Sequence, residues 1–308
     1  MKFLFASDSF KGTLSSEQII RLLTESAKEA FPDCETAGTL IADGGEGTVD
    51  AVIAMTKGEL IRVPVHGPLM EETTAVYGKI NEDSAIIEMA AASGLPMVPE
   101  NLRNPLNTTT YGTGELIRDA LDRGFRNISV ALGGSATNDG GMGAMSALGV
   151  KFLDKDGNVL DGKGSDLEKV ASVDVSGLLA ALAETKFTVM CDVNNPLTGR
   201  DGATYTFGKH KGGTPEILDR LEAGMKSYAK VAGEALGKDI DHIAGAGAAG
   251  GMGAALCGFL NAGLKSGIET VLDLIGFDEM LEGVDLVVTG EGRIDWQSAF
   301  GKVPSGIG

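Results

Sequence analysis

Five short clusters of glycine, carboxylate and a few cations carry the chemical content of this sequence. They are SDSFKG (Ser7–Gly12), DGGEGT (Asp43–Thr48), GGSATNDGG (Gly133–Gly141), DVNNPLTG (Asp192–Gly199) and TGEGRID (Thr289–Asp295). Glycine loops that lead into helices expose backbone N–H groups able to cradle phosphate. Carboxylates can hold Mg2+ or accept the proton of an attacking hydroxyl. Cations offset charge on a group in transfer. That inventory is the one phosphoryl transfer needs. GGSATNDGG would form the cradle, through Gly133, Gly134, Ser135, Thr137, Asn138 and Asp139. The carboxylates on offer are Asp8, Asp43, Asp139, Asp192, Glu291 and Asp295, and the cations are Lys11, Arg293 and Lys302. Gly44, Gly45, Glu46, Asn194, Asn195, Gly290 and Gly292 complete the candidate binding set.

Each of these residues also has a plainer use. Asp8 could cap the turn before the first helix, and Lys11 could be solvated. Asp43 and Glu46 could serve as helix N-terminal charges favoured by the macrodipole. Asp139 could make an Asx turn, and one of Asn194 and Asn195 could form the turn before Pro196. Arg293 and Asp295 could pair with each other, and Trp296 could be a packing residue. One such cluster alone would be fold punctuation. Five of them, each directly after an apolar run, point to a shared site.

The runs before the clusters read as strands. Phe3–Ala6 is a buried strand, and a helix over Ser16–Ala30 follows. Ser15 is its N-cap, with Gln18 closing a capping box and Leu14 against Ile19 as a hydrophobic staple; Pro32 ends it. Thr39–Ala42, Ile128–Leu132, Phe187–Cys191 and Leu286–Thr289 repeat the strand-then-loop grammar, with helices over Thr48–Met55 and Met142–Leu148. Strand, glycine-rich loop and helix in succession indicate an α/β fold with a parallel sheet, whose ligands sit at the carboxyl ends of the strands. Glu59–Val65, Thr73–Lys79 and Ser84–Met89 break the pattern and read as an antiparallel meander. They imply a second, mixed α/β domain over residues 59–283, inserted into a first domain made of 1–58 and 284–308. Further helices are expected over Thr109–Arg123, Pro215–Ala235 and Gly250–Asn261.

Composition narrows the function. The net charge of −17 opposes nucleic acid and anionic membrane as partners, and an anionic substrate would need local cations or a metal. Three distant cysteines and three scattered histidines form neither a disulfide framework nor a zinc site. No apolar run reaches the length of a membrane span, and MKFLFASDSF is too short for a signal peptide, so a soluble, cytoplasmic protein is expected. Gly157–Gly164 misses the P-loop pattern, because Gly164 stands where Ser or Thr would bind Mg2+, and it reads as a hairpin turn. Gly245–Gly250 fits GxGxxG literally, but KDIDHIA before it is a poor strand, so close helix packing is the better reading than a dinucleotide fingerprint.

The segments SDSFKGTLSS, ADGGEGT, LGGSATNDGGMG, DVNNPLTG, GAGAAGGMG and VTGEGRIDWQSAFGK, in this order, resemble the bacterial glycerate kinase family of the type with two α/β domains. The resemblance spans Lys2 to Lys302. It implies a Rossmann/flavodoxin-like domain beside a mixed α/β domain, with the site in the cleft between them. It implies ATP-dependent phosphorylation of D-glycerate with Mg2+, at the 2-hydroxyl in preference to the 3-hydroxyl, by a monomer or homodimer. On this reading the ATP phosphates lie against Gly133–Gly141, Mg2+ is held by Asp192 and Asp295, Lys11 or Arg293 meets the glycerate carboxylate, and Asp8 or Asp192 accepts the hydroxyl proton. The family continues through further elements past the position of Gly308, so a missing C-terminal part is expected. An NAD(P)-dependent oxidoreductase and a non-catalytic ligand-binding protein are the competing readings.

Overall fold

The computed structural model describes residues 1–10, 13–293 and 302–308; the expectations placed on Lys11, Asp295 and Trp296 lie outside them. Strands and helices follow one another from the start. β1 (Lys2–Ser7) leads to α1 (Ser16–Ala30), β2 (Glu35–Leu40) to α2 (Thr48–Thr56), and β3 (Glu59–His66), β4 (Glu72–Lys79) and β5 (Ser84–Glu88) come next. Then α3 (Ala90–Ser93), α4 (Tyr111–Asp122), β6 (Asn127–Ala131), α5 (Met142–Ala147), β7 (Lys151–Leu153), β8 (Ser172–Asp174) and β9 (Lys186–Met190) follow. The chain ends through α6 (Ala203–Phe207), α7 (Pro215–Leu236), α8 (Met252–Leu260), β10 (Gly263–Lys265), α9 (Gly267–Ile275), α10 (Phe277–Met280), β11 (Leu286–Gly290) and α11 (Val303–Ile307).

The expected α/β architecture is present. Among the described residues, β11-β1-β2 form a small parallel sheet, and β10-β9-β6-β5-β4-β3 form a larger mixed one. β3, β4 and β5 are the antiparallel meander. β5 is also where the sheet changes character, because it pairs parallel with β6, which pairs parallel with β9. β7 and β8 make a separate antiparallel pair.

Local chemistry explains the ends of the elements. The Ser15 hydroxyl accepts from the Gln18 N–H at 3.2 Å, and the Gln18 side chain accepts from the Ser15 N–H at 2.9 Å, so the capping box starts α1 as expected. α1 rests close on β2: a Cβ on Gly38 would lie 2.3 Å from Ile20 Cγ2, which is why glycine stands in that strand. α8 begins later than its apolar spacing suggests. Gly250 and Gly251 adopt φ of 68° and 98°, left-handed values that cannot continue a helix.

Two apolar clusters hold these layers. The larger packs Tyr77, Leu116, Ile117, Met142, Phe152, Met225, Tyr228 and Leu256 around the mixed sheet. The smaller joins Leu4, Ile41 and Val52 beside the parallel sheet to Ile86, Ala131 and Met190 of the mixed sheet and to Ile268, Val271 and Val303. Burying each such side chain contributes roughly 1.5–3 kcal/mol. The seam brings the loop after β2 against the loops after β6 and β9.

Candidate active site

A cavity of about 570 Å3 opens where those loops meet. Its walls come from Asp43–Gly45 after β2, Leu132–Ser135 after β6 and Cys191–Val193 after β9, together with Lys302 just before α11. A further wall is mostly apolar: Leu95 and Pro96, Phe207 beside His210 and Lys211, and Ala248 with Ala249. The loops approach closely. A Cβ on Gly133 would stand 3.1 Å from Gly45 Cα, and one on Gly267 would stand 2.0 Å from the Asp43 carbonyl oxygen. At Gly267 a side chain would have to displace backbone, and at Gly133 it would fit only if its neighbour gave by a few tenths of an ångström.

The charged end of the cavity is built by Asp43, Asp192 and Lys302. Lys302 Nζ donates to Asp43 Oδ2 at 2.7 Å. Burial would lower the Lys302 pKa, but the Asp43 carboxylate, helped by the charges of Asp192 and Glu291, outweighs it and holds the pKa above the usual lysine value. Asp192 is an exposed residue that lines the cavity, and its Oδ1 accepts the Gly267 N–H at 2.9 Å, at the start of α9. Desolvation by the protein packed around it, reinforced by the Asp43 charge, pushes its pKa above the usual carboxylate range, against the opposing pull of Gly267 N–H and Lys302.

Behind the cavity, the 133–141 loop is fastened from inside. Asp139 is fully buried and accepts from the Thr110 N–H at 2.8 Å, the Thr110 hydroxyl at 2.7 Å, and the N–H groups of Gly141 and Gly143 at 3.1 and 3.3 Å. Burial raises its pKa and those four donors pull it back down. The buried Tyr228 hydroxyl donates to the Gly140 carbonyl at 2.9 Å. Gly250 presses on the same loop, where a Cβ would sit 2.1 Å from the Thr137 carbonyl oxygen, while Gly245 and Gly247 press on the loop after β9, against the Val193 and Pro196 carbonyls. Close packing is thus the use of the GxGxxG match. Lys211 Nζ donates to Ser135 Oγ at 2.8 Å and to the Thr137 carbonyl at 2.6 Å.

Of the residues singled out in the sequence, Asp43, Gly44, Gly45, Gly133, Gly134, Ser135, Asp192 and Lys302 share this cavity. Thr137, Asn138 and Asp139 are buried behind it, and Asn138 Nδ2 is spent on Thr204 Oγ1 at 3.1 Å. Glu46 is exposed at the start of α2. Asn194 lines an adjoining cavity of about 330 Å3 that also touches Asp192. Asn195 ties its own loop together by donating to the Asp201 carbonyl at 2.7 Å. Asp8, Gly290, Glu291, Gly292 and Arg293 gather at the ends of β1 and β11, where Asp8 N–H donates to the Gly290 carbonyl at 2.9 Å; they do not line the main cavity. The structure adds residues that the pattern of strand ends does not reveal: Leu95, Pro96, Phe207, His210, Lys211, Ala248 and Ala249. The one signal for Lys211 was the basic run Lys209-His210-Lys211 between glycines in an acidic chain.

Among the described residues, no group of three or more His, Cys, Asp or Glu is arranged to hold a metal ion. Asp43 and Asp192 are nevertheless within each other's electrostatic reach. Mg2+ commonly binds through one or two carboxylates plus substrate phosphates and waters. Among the described residues, the donor set fits a phosphate-borne Mg2+ and does not form an all-protein cage. Among the described residues, no helix is long and apolar enough to cross a membrane.

Comparison with known proteins agrees with this fold. The model of the Glycerate kinase family matches residues 3–308. A glycerate kinase from Bacillus cereus is 47% identical over 308 residues, which is 100% of this chain and 81% of the relative. A glycerate 2-kinase from Escherichia coli is also 47% identical over 308 residues, with the same coverage of 100% and 81%. A solved crystal structure from Salmonella typhimurium superposes with a TM-score of 0.93 at 48% identity, covering 100% of this chain and 82% of that one.

Proposed function

The chain belongs to the glycerate kinase family, and on that premise we propose that it transfers the γ-phosphoryl group of ATP to the 2-hydroxyl of D-glycerate. That it is a kinase follows from the family; the nucleotide, the metal and the choice of hydroxyl are our reading. The observation that supports it is the convergence of Gly133–Ser135, Asp43, Asp192 and Lys302 on one cavity.

In this reading the phosphate chain rests on the Gly133–Ser135 turn, and the apolar wall of Leu95, Pro96, Phe207 and Ala249 receives the planar base. Asp192 accepts the proton of the attacking hydroxyl. As the new O–P bond forms, the bond from the γ-phosphorus to the bridging oxygen breaks, and ADP leaves with that oxygen. The raised pKa of Asp192 suits a proton acceptor, because a carboxylate nearer neutrality is a better base. Lys302 holds Asp43 in place and lends positive charge to an otherwise acidic crevice. Asp43, with Asp295 as a further candidate, would hold Mg2+, which would supply charge neutralisation on the phosphate oxygens. Closure of residues 59–283 over 1–58 and 284–308 would exclude water and limit idle ATP hydrolysis.

The test is a coupled assay of ADP release with and without D-glycerate, with the product identified as 2- or 3-phosphoglycerate. Glycerate-dependent ADP release and 2-phosphoglycerate are expected. Equal release with and without glycerate would remove glycerate as the acceptor, and 3-phosphoglycerate would move the reaction to the other hydroxyl.

A further inference from the structure

Among the described residues, no other lysine or arginine is as buried as Lys211, whose exposure is 6%. It sits at the end of a single helical turn, Gly208–Lys211, between exposed His210 and the left-handed Gly212, at φ 94°. The fold carries this ammonium inward to the 133–141 loop while its neighbours Lys209 and His210 stay in solvent.

Its surroundings do not balance its charge. Ser135 Oγ and the Thr137 carbonyl take two of its three N–H donors, and both are neutral acceptors. The acid that acts on it through space is Asp139, whose two oxygens are already occupied by Thr110, Gly141 and Gly143. Tyr228, another titratable group packed on this loop, donates a hydrogen bond to the Gly140 carbonyl and is kept neutral by burial, while Asp43, Asp192, His210 and Lys302 line the same cavity. Burying a cation without an ion-pair partner is costly, and burial lowers the Lys211 pKa to about 7. A lysine used only as a strut between two neutral oxygens could be replaced by an uncharged donor at lower cost. The same side chain, however, lines the cavity beside Gly133, Gly134 and Ser135.

We propose that Lys211 is a phosphate ligand of the bound nucleoside triphosphate, its remaining N–H meeting a terminal phosphate oxygen seated on the Gly133–Ser135 turn. This assignment rests on the kinase reading for its ligand, and on the geometry around Ser135 for its position. The anion supplies the counter-charge that the protein withholds, so binding completes the protonation of Lys211. At pH 8 the lysine of the ligand-free protein is mostly neutral, and each bound triphosphate draws in about one proton.

The experiment is calorimetric titration of the full chain at pH 8 with ATP and, separately, with inorganic tripolyphosphate, in two buffers of different ionisation enthalpy. Lys211→Met and Lys211→Gln are compared with the wild type, and thermal melting establishes that each is folded. Gln can still donate to Ser135 but carries no charge. The expected result is proton uptake near one in the wild type and none in either variant. Affinity for both ligands should fall at least tenfold, turnover should fall at least a hundredfold, and the glycerate KM should stay within about threefold. A folded Lys211→Gln variant with wild-type affinity, or wild-type binding without proton uptake, overturns the assignment and leaves the kinase reading standing. Tripolyphosphate binding with proton uptake in a chain that transfers nothing to glycerate sinks the kinase reading and leaves Lys211 as a phosphate ligand.

Discussion

Lys302 Nζ lies 2.7 Å from Asp43 Oδ2, although the two residues are 259 positions apart in the chain. The pair joins the loop after β2 to the start of α11 at the mouth of the cavity, with Asp192 within electrostatic reach of both. Asp43 is mostly covered, at 11% side-chain exposure, and Lys302 is more open, at 36%. Lys302→Met therefore removes a positive charge from beside a mostly covered carboxylate. Turnover is expected to fall about 100- to 1,000-fold, the scale of removing a preorganised charge from a reaction site. Stability should fall by only about 1 kcal/mol, because the lysine end of the pair is solvated. Steady-state kinetics and thermal melts check the two numbers.

Asp192→Asn separates chemistry from folding. Asn can still accept the Gly267 N–H through its side-chain oxygen, so α9 keeps its anchor. It cannot take up the hydroxyl proton, and turnover should fall about 100- to 10,000-fold. The folded-state pKa of Asp192 is raised, so stability falls as the pH climbs from the ordinary carboxylate pKa to the folded-state one and stays lowered above it. The melting temperature of the variant at pH 8 is thus expected to match or exceed that of the wild type. Normal turnover would remove Asp192 from the catalytic set.

The same shift sets an acid limb. With Asp192 as the proposed proton acceptor, kcat/KM should decline with falling pH while ordinary carboxylates, near about 4, are still ionised. Asp43→Asn removes a neighbouring negative charge and frees Lys302, and both changes favour ionised Asp192. The limb in that variant should move to lower pH, whatever its absolute rate. A pH–rate profile decides, and a limb that stays in place argues against Asp192 as the titrating group.

Tyr228→Phe deletes a buried hydrogen bond to the Gly140 carbonyl and little else. A cost of about 0.5–1.5 kcal/mol is expected. The loop that it braces should become less ordered at its other end, near Gly133–Ser135, and the ATP KM should rise a few-fold while the glycerate KM holds. Denaturant unfolding and substrate-resolved kinetics test this.

Two glycine replacements make a matched pair. A Cβ on Gly267 would collide with the Asp43 carbonyl, whereas a Cβ on Gly263 meets nothing within 4 Å. Gly267→Ala should cost about 1–3 kcal/mol and lower turnover by displacing Asp43. Gly263→Ala should stay within about 0.5 kcal/mol of the wild type, with normal activity.

Much of this protein was legible in the order of its residues. The capping box of Ser15 and Gln18, the β3–β5 meander and the glycine-acid loops behind apolar strands all depend on neighbours a few positions apart, and local sequence carries that information. The polar strand-end clusters also pointed to phosphoryl transfer, because glycine loops, carboxylates and cations together are the inventory that reaction needs.

Which clusters meet was decided by tertiary structure. Asp43, Gly133 and Asp192 share a cavity because the apolar seam of Ile41, Ala131 and Met190 draws the ends of β2, β6 and β9 together. The same packing turned Asp139 inward, where its oxygens fasten the loop, and carried Lys211 into the interior beside the exposed Lys209 and His210. A residue's type and spacing state which bonds it can make. Whether it meets solvent, a neighbour or a substrate depends on segments far away in the chain, and long-range strand order and burial alone supply them.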